Sequence, residues 1–453
     1  MTDNRPALSL NQEFLCSLDH GETAGALSQW YTITYGLRLR GTLDVGALSA
    51  ALDDVVARHE ILRTTLRKDD DGWHQHLHPP GPVSLQVRDV ASAASADSAD
   101  RAAYDLLDEI EAEPFSHREV PLLRAVLGRL GADDHVLALR THHVASDAWS
   151  MQVIIADLAA CYAARAAGRA PGLPGATQYR EFAAWQRAKE ESWSGVASRH
   201  WRERLLGARL HTLAADRVLP EGAADPYSVY RFVIGRELAQ AAGQVARTAR
   251  SSLFVVLLAT YNLLASQLTG ETDLVVPTFT AGRNEPRFAG VVGPLYNLLP
   301  IRTDLGGCRS FADVIAQTRA SCLQAYANDI PFPLIQAQAG DLMEPCGDDH
   351  LAVSAFEMLP PPAPAGSALA GYGRAGDIRY SELRGSRTSV PVGASTPKGM
   401  LWAVDHLRSG ELAGLIRFSR DRFDEGTLAG IAAQYCRLLS ASVAEPTAQL
   451  VTS

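Results

Sequence analysis

Two adjacent histidines and an aspartate four residues further on, in LALRTHHVASDAWS (residues 137–150), are the side chains of this sequence best placed to do chemistry. A neutral imidazole can take a proton from an attacking amine or hydroxyl near neutral pH. In an extended segment neighbouring side chains point to opposite faces, so His142 and His143 do not comfortably chelate one metal ion. One is expected to face the core and the other a cavity. The plainer reading is two packed, hydrogen-bonded core histidines. Asp147 also has two readings: an N-cap on free backbone amides, or a carboxylate buried against an arginine that holds the loop in shape. No nucleophile accompanies the motif, because G-x-S-x-G is absent and no cysteine sits in a recognisable catalytic setting. Direct attack of an acceptor on an acyl donor needs no enzyme nucleophile. The residues therefore point to acyl transfer without a covalent enzyme intermediate.

The elements around the motif must hold it. HVLALRTHHV (135–144) reads as a strand and WSMQVIIADLAACYAARAAG (149–168) as a helix ended by Gly168, so the histidines sit where a strand hands over to a helix. YTITYGLRLRG (31–41) is a further strand, residues 44–66 a helix with Asp44 as its cap, and residues 90–110 a loop that becomes a helix. The second half starts afresh with a strand at 228–235, two helices over about 237–268, a strand at 273–282, and a closing strand and helix. This shared rhythm predicts a mixed α/β chain of two lobes, residues 1–190 and 191–453. The proline- and alanine-rich stretch 360–371 reads as a surface loop.

Composition excludes several function classes. The 453 residues carry a net charge of −9, which argues against nucleic acid or an anionic membrane as partner. The longest apolar run, LFVVLLATYNLLASQL (253–268), is short and contains Asn262 and Gln267, so it reads as a core helix. The N-terminus shows no secretory signal. The six cysteines are scattered with no C-x-x-C pair, as expected for reduced thiols in the cytoplasm. His74, His76 and His78 share one face of a strand, but nothing local completes a metal site and none is expected. The charged run RKDDDG (67–72) reads as a turn.

The stretch THHVASDAWS resembles the active-site motif of the condensation domains of nonribosomal peptide synthetases. Other segments fall in that family's order and spacing. SLNQEFLCSL (9–18) is similar to its opening motif, with the usual arginine and aromatic altered. RHEILRTTL (58–66) is a near-complete match to the second. YREFAAWQ (179–186), HWRERLLG (200–207), AGRNEPRFAGVVGPLYNLLPIR (281–302) and ANDIPF (327–332) follow in order. The resemblance covers about residues 9–440. It implies two chloramphenicol-acetyltransferase-like lobes set in a V, with the active-site tunnel between them. A peptidyl carrier protein would present an acyl or aminoacyl thioester on phosphopantetheine at one mouth, and the acceptor would enter at the other.

By match to the motif, His143 is the catalytic histidine and His142 supports the loop. Asp147 is structural, paired with an arginine: Arg283 is the first choice, Arg63 and Arg58 the others. Ala148 stands where the family usually has glycine. With Trp149 and Ser150 it is expected to border the substrate path, where its methyl group narrows the donor side or restricts the backbone. Tyr296, Asn297 and Trp185 read as packing or lobe-interface residues. The retained histidines argue against a cyclisation domain and against a recruitment module, and AWS after the aspartate favours condensation over epimerisation. No bound cofactor or metal is expected, since phosphopantetheine arrives on the carrier. Adenylation and carrier signatures are absent, so the chain is expected to stand free and meet its carrier in trans. The acceptor is then a small amine or alcohol, or a second carrier protein, and the product an amide or an ester. An acyl-CoA-dependent acyltransferase of the same fold and a non-catalytic docking module are the competing readings.

Overall fold

The computed structural model describes the chain apart from residues 1–5, 20, 22–24, 91–95, 194, 219–226, 359–371, 384–390, 393–398, 408 and 451–453. The proline-rich stretch 360–371 lies outside the described residues. The first half runs α1 (Leu10–Ser17), β1 (Thr32–Arg40), α2 (Val45–Arg58), β2 (Thr64–Asp69), β3 (Gly72–Leu77), β4 (Leu85–Asp89), α3 (Ala96–Glu111), β5 (Leu123–Gly131), β6 (Asp134–His142), α4 (Ala148–Ala166) and α5 (Tyr179–Trp193). Ser9 and Gln12 close a capping box on α1, and the Asp44 carboxylate caps α2 through the Ala47 amide. The expected helix over 44–66 stops at Arg58. Ile61 and Leu62 keep apolar spacing through a short 3-10 turn, but the β-branched pair Thr64 and Thr65 joins the β2–β3 hairpin opposite Leu77 and His76.

Strand β6 is central in a six-stranded sheet, between β1 and β5 and antiparallel to both. Its side chains alternate between two cores. Leu137 and Leu139 pack with Leu48, Val55, Ile154 and Leu158 of α2 and α4, while Val136 and Ala138 pack with Ala103, Leu106 and Ile110 of α3. A strand covered on both faces reads as a nearly continuous apolar run.

The second half runs α6 (Val196–Arg204), β7 (Thr212–Ala214), β8 (Tyr227–Ile234), α7 (Arg236–Thr248), α8 (Leu253–Thr269), β9 (Asp273–Thr280), β10 (Asn297–Asp304), α9 (Phe311–Ala327), α10 (Phe332–Gln336), β11 (Leu351–Met358), β12 (Tyr372–Ala375), β13 (Ile378–Leu383), β14 (Pro391–Val392), β15 (Gly399–His406), β16 (Leu412–Ser419) and α11 (Glu425–Ala444). A second six-stranded sheet has the order β14-β8-β16-β15-β11-β7. Helix α8 is buried at every residue from Val255 to Ala265, which is why its sequence is apolar all round. Among the described residues no single helix is long and apolar enough to cross a membrane.

The result is a mixed α/β molecule of two acetyltransferase-like lobes. Its cores do not follow a single cut in the sequence. The first core takes in Tyr179 and Phe182, and the second begins at Trp201. Two stretches of the second half return to the first lobe. Strands β12 and β13 extend its sheet beside β1, and Phe288, Val291, Val292 and Leu295 enter its core. Local pattern carries no signal for such exchange, because each returning stretch looks like any other apolar segment.

The crossing at 281–296 depends on a tight turn. Gly282 has φ +62, and a Cβ there would stand 1.7 Å from the Leu295 carbonyl oxygen. Gly282→Ala is therefore expected to cost more than about 2 kcal/mol. A thermal midpoint several degrees below wild type is the expected reading, and an unchanged midpoint contradicts this close approach.

Candidate active site

His142 and His143 stand where β6 gives way to the turn before α4. The His143 amide donates to the Tyr31 carbonyl at 2.9 Å, extending the β1–β6 ladder by one bond. The two rings then separate. His142 is fully buried on the side of Phe115 and His117. Its Nε2 lies 2.9 Å from the Ser28 carbonyl oxygen, and its Nδ1 accepts the Val144 amide at 3.2 Å. These bonds fix a neutral tautomer with the proton on Nε2. Burial, with His117 nearby, pushes its pKa down to about 3. His142 thus locks the loop and is closed to any substrate.

His143 lies against Tyr31, ring centroids 4.4 Å apart, and 6.0 Å from the Tyr296 ring. The two tyrosine hydroxyls are hydrogen-bonded at 2.8 Å, one from each half of the sequence. Nδ1 of His143 is buried with no hydrogen-bond partner, yet the residue keeps part of its surface accessible. Nε2 has no partner among the described residues and is not closed off. Burial first, and the positive charge of Arg417 second, push the ring down to about 4; the Asp147 carboxylate and the Ser146 backbone pull weakly the other way. The imidazole is neutral at physiological pH, deep in the protein, with one nitrogen free.

Asp147 unites both readings of its role. As N-cap of α4, its Oδ1 accepts the Ser150 amide at 2.7 Å. Arg283 closes on it from the second half of the chain, Nη1 to Oδ2 at 2.8 Å and Nη2 to Oδ1 at 3.0 Å, with both side chains almost wholly buried. Oδ2 also accepts the amides of Leu295 and Tyr296 at 3.0 and 3.2 Å. The Ser150 hydroxyl lies 2.7 Å from Asp147 Oδ1 and 2.9 Å from the Gly293 carbonyl oxygen, and accepts Arg283 Nη2 and the Gly293 amide, both at 3.0 Å. One carboxylate therefore ties the start of α4 to the crossing segment that carries Tyr296. Charge-assisted, bidentate bonds of this kind are the strong class.

Of the three arginines named for Asp147, Arg283 is the one in contact. Arg58 instead donates to Asp157 at 2.8 Å and to the Pro174 carbonyl, and Arg63 to the His78 carbonyl. Their motif builds the 3-10 turn and hairpin of the first lobe. Ser150 departs from the expectation of a path-lining residue: it is fully buried and bonded within the Asp147 cluster. Ala148 and Trp149 are partly exposed. The Trp149 indole N–H donates to the Ala289 carbonyl at 2.8 Å and its ring faces Arg283, so it braces the same crossing. Among the described residues no group of three or more His, Cys, Asp or Glu could hold a metal ion. Tyr31, which packs on His143, and Arg417 and Glu357, which act electrostatically on Tyr31, carry no motif signal. Tyr296 was legible only as an interface residue.

Comparisons place this geometry among known proteins. The model of the condensation domain matches residues 22–345. The chain is 33% identical over 432 residues to the probable non-canonical nonribosomal peptide synthetase CymA of Salinispora arenicola, covering 93% of this chain but only 5% of that protein. It likewise spans 11% of chondramide synthase cmdD of Chondromyces crocatus, at 29% identity over 96% of this chain. Among solved structures, SgcC5 of Streptomyces globisporus, in complex with (R)-(-)-1-(2-naphthyl)-1,2-ethanediol and sucrose, is 39% identical with a TM-score of 0.92; the match covers 98% of this chain and 100% of SgcC5. The X-domain from teicoplanin biosynthesis is 26% identical with a TM-score of 0.79, over 99% of this chain and 97% of that domain.

Two outcomes are expected from the site. Asp147→Ala should cost on the order of 3–5 kcal/mol, because it strands a buried guanidinium. The Asp147→Ala/Arg283→Met double variant should cost less than the two single changes added together in denaturant unfolding, and additive losses contradict the clamp. The second outcome concerns pH. His142, His143 and, in the second lobe, His211 (about 4, by burial) all lie below the ordinary 6.5. The unfolded chain binds more protons than the fold between about 6.5 and 4. Stability from these rings is thus complete above about pH 6.5 and is lost as pH falls toward 4. The denaturant midpoint should fall across that window, and a constant midpoint contradicts buried neutral imidazoles.

Proposed function

The chain belongs to the condensation-domain family, and on that premise we propose that it is an acyltransferase. It moves an acyl or aminoacyl group from the phosphopantetheine thioester of a carrier protein to an amine or hydroxyl acceptor. The observation that carries the reading is the free Nε2 of His143, on a ring that is neutral near pH 7. The acceptor N–H or O–H lies against that nitrogen. Its lone pair adds to the thioester carbonyl while the ring takes its proton, so the nucleophile is never a full cation or a free alkoxide. The C–S bond then breaks, the C–N or C–O bond is complete, and the proton returns to the pantetheine sulfur. No enzyme nucleophile takes part.

The carrier presents its thioester in the cytoplasm, where thiols stay reduced. SgcC5 was solved with an aryl vicinal diol, which supports a hydroxyl acceptor here. A hydroxyl is poorly nucleophilic until its proton begins to leave, so ester formation leans hardest on His143. The Ala148 methyl, in place of the usual glycine, narrows the donor side and favours a slim acyl chain. A non-catalytic docking role has one observation in its favour, the likeness to the teicoplanin X-domain. It leaves the free nitrogen of a neutral His143 without a use.

The test supplies one acyl group as its thioester on CoA, on free pantetheine and on a carrier protein, each with an amine and an alcohol acceptor. Transfer from the carrier thioester is expected to be fastest. Faster transfer from CoA would point to an acyl-CoA enzyme, and none from any donor to a docking module. His143→Ala should lower the rate on the order of 10²–10⁴-fold, and an unchanged rate would remove the base role.

A further inference from the structure

The second lobe turns a charged face toward His143. In β11, Phe356 points into its own core, so Glu357 projects from the opposite face of the sheet. Strand pairing aligns Glu357 with Ala403, Ala403 with Leu415, and Leu415 with Arg231, a single row across β11, β15, β16 and β8. Arg417 stands one position off that row on the same face, between Ile416 and Phe418, which enter the core. Arg417 acts on both Tyr31 and His143, and Glu357 acts on Tyr31. Arg417 lies 3.6 Å from Glu111. Glu111 and Asp108 of α3 also act on Arg231.

In this cluster Glu357 is the group left over. Arg417 has Glu111, and Tyr31 and Tyr296 have each other. Glu357 has no hydrogen bond or ion pair among the described residues, although it is only partly exposed. Neither of its carboxylate oxygens is sealed from solvent, so the group is open to a ligand that brings its own donor.

We propose that Glu357 recognises the acceptor: its carboxylate receives a second polar hydrogen of the acceptor while the attacking N–H or O–H faces His143 Nε2. This rests on the acyl-transfer reading and narrows its acceptor to compounds with two neighbouring donors, such as a vicinal diol or an amino alcohol. Burial raises the Glu357 carboxyl to about 7, with Arg417 pulling it down, so it is poised to gain a donor in exchange for its own proton. Glu357 then fixes the orientation of the acceptor, and His143 does the proton transfer.

The experiment varies the acceptor against the enzyme. The full chain is given carrier-bound acyl thioester and either 1-phenyl-1,2-ethanediol or 2-phenylethanol, and in parallel 2-amino-1-phenylethanol or 2-phenylethylamine. Within the pair that is turned over, wild type should favour the two-donor acceptor by about 10- to 100-fold in kcat/KM, the effect of one hydrogen bond to a charged group. Glu357→Ala should bring that ratio near unity through the acceptor KM, with the thioester KM changed less than about 2-fold. Glu357→Gln keeps the shape and one accepting oxygen, so it should keep part of the preference. A ratio that survives in a folded Glu357→Ala, or an equal loss for both acceptors, overturns the proposal and leaves the acyl-transfer reading standing. No turnover of either pair by wild type overturns both.

Discussion

A buried carboxylate holds this molecule's two halves to one geometry. Asp147 accepts bonds from its own helix, from Arg283 and from the backbone of the crossing segment, so neither side can shift without stranding a charge. The cost of desolvating Asp147 and Arg283 is offset because the pairing is bidentate and both carboxylate oxygens are saturated with donors. Asp147 lies four residues from His143 and accepts the amide of Tyr296 itself. It therefore sets the distance between the imidazole and the tyrosine pair as well as joining the lobes.

The same burial sets the chemistry. Both motif histidines are neutral because the protein around them penalises charge, but they differ in what they have left to give. His142 has both nitrogens committed to the backbone. His143 keeps Nε2 uncommitted. A base this weak cannot strip an ammonium by itself. It suits a proton that becomes acidic only as the acceptor adds to a carbonyl. The proposed second group, Glu357, adds a carboxyl with a higher affinity for protons on the second-lobe sheet near Tyr31.

Sequence reasoning recovered the parts whose signal is local. The strand and helix around residues 135–168, the cap at Asp147 and the apolar α8 follow from periodicity and capping, and the ordered motifs led to the family and to Arg283 as a partner for Asp147. The parts it missed are made by distance in the chain. Tyr31 packs on His143, and Arg417 and Glu357 act on that pair, only because β1, β16 and β11 come together there, and none stands in a telling pattern. Ser150 was placed on the substrate path by adjacency, whereas the helix turns it inward onto Asp147. The return of β12 and β13 to the first sheet was invisible for the same reason: a strand's partner is fixed by tertiary packing, not by its own residues.

In the proposed reaction the free nitrogen of His143 is where the two reactants meet. The most direct measurement is a crystal structure with a non-hydrolysable acyl-pantetheine amide and an acceptor bound together. The attacking atom of the acceptor is expected about 2.6–3.2 Å from His143 Nε2 and turned toward the amide carbonyl. Both molecules seated away from that nitrogen, with the ring buried behind packed side chains, would contradict it.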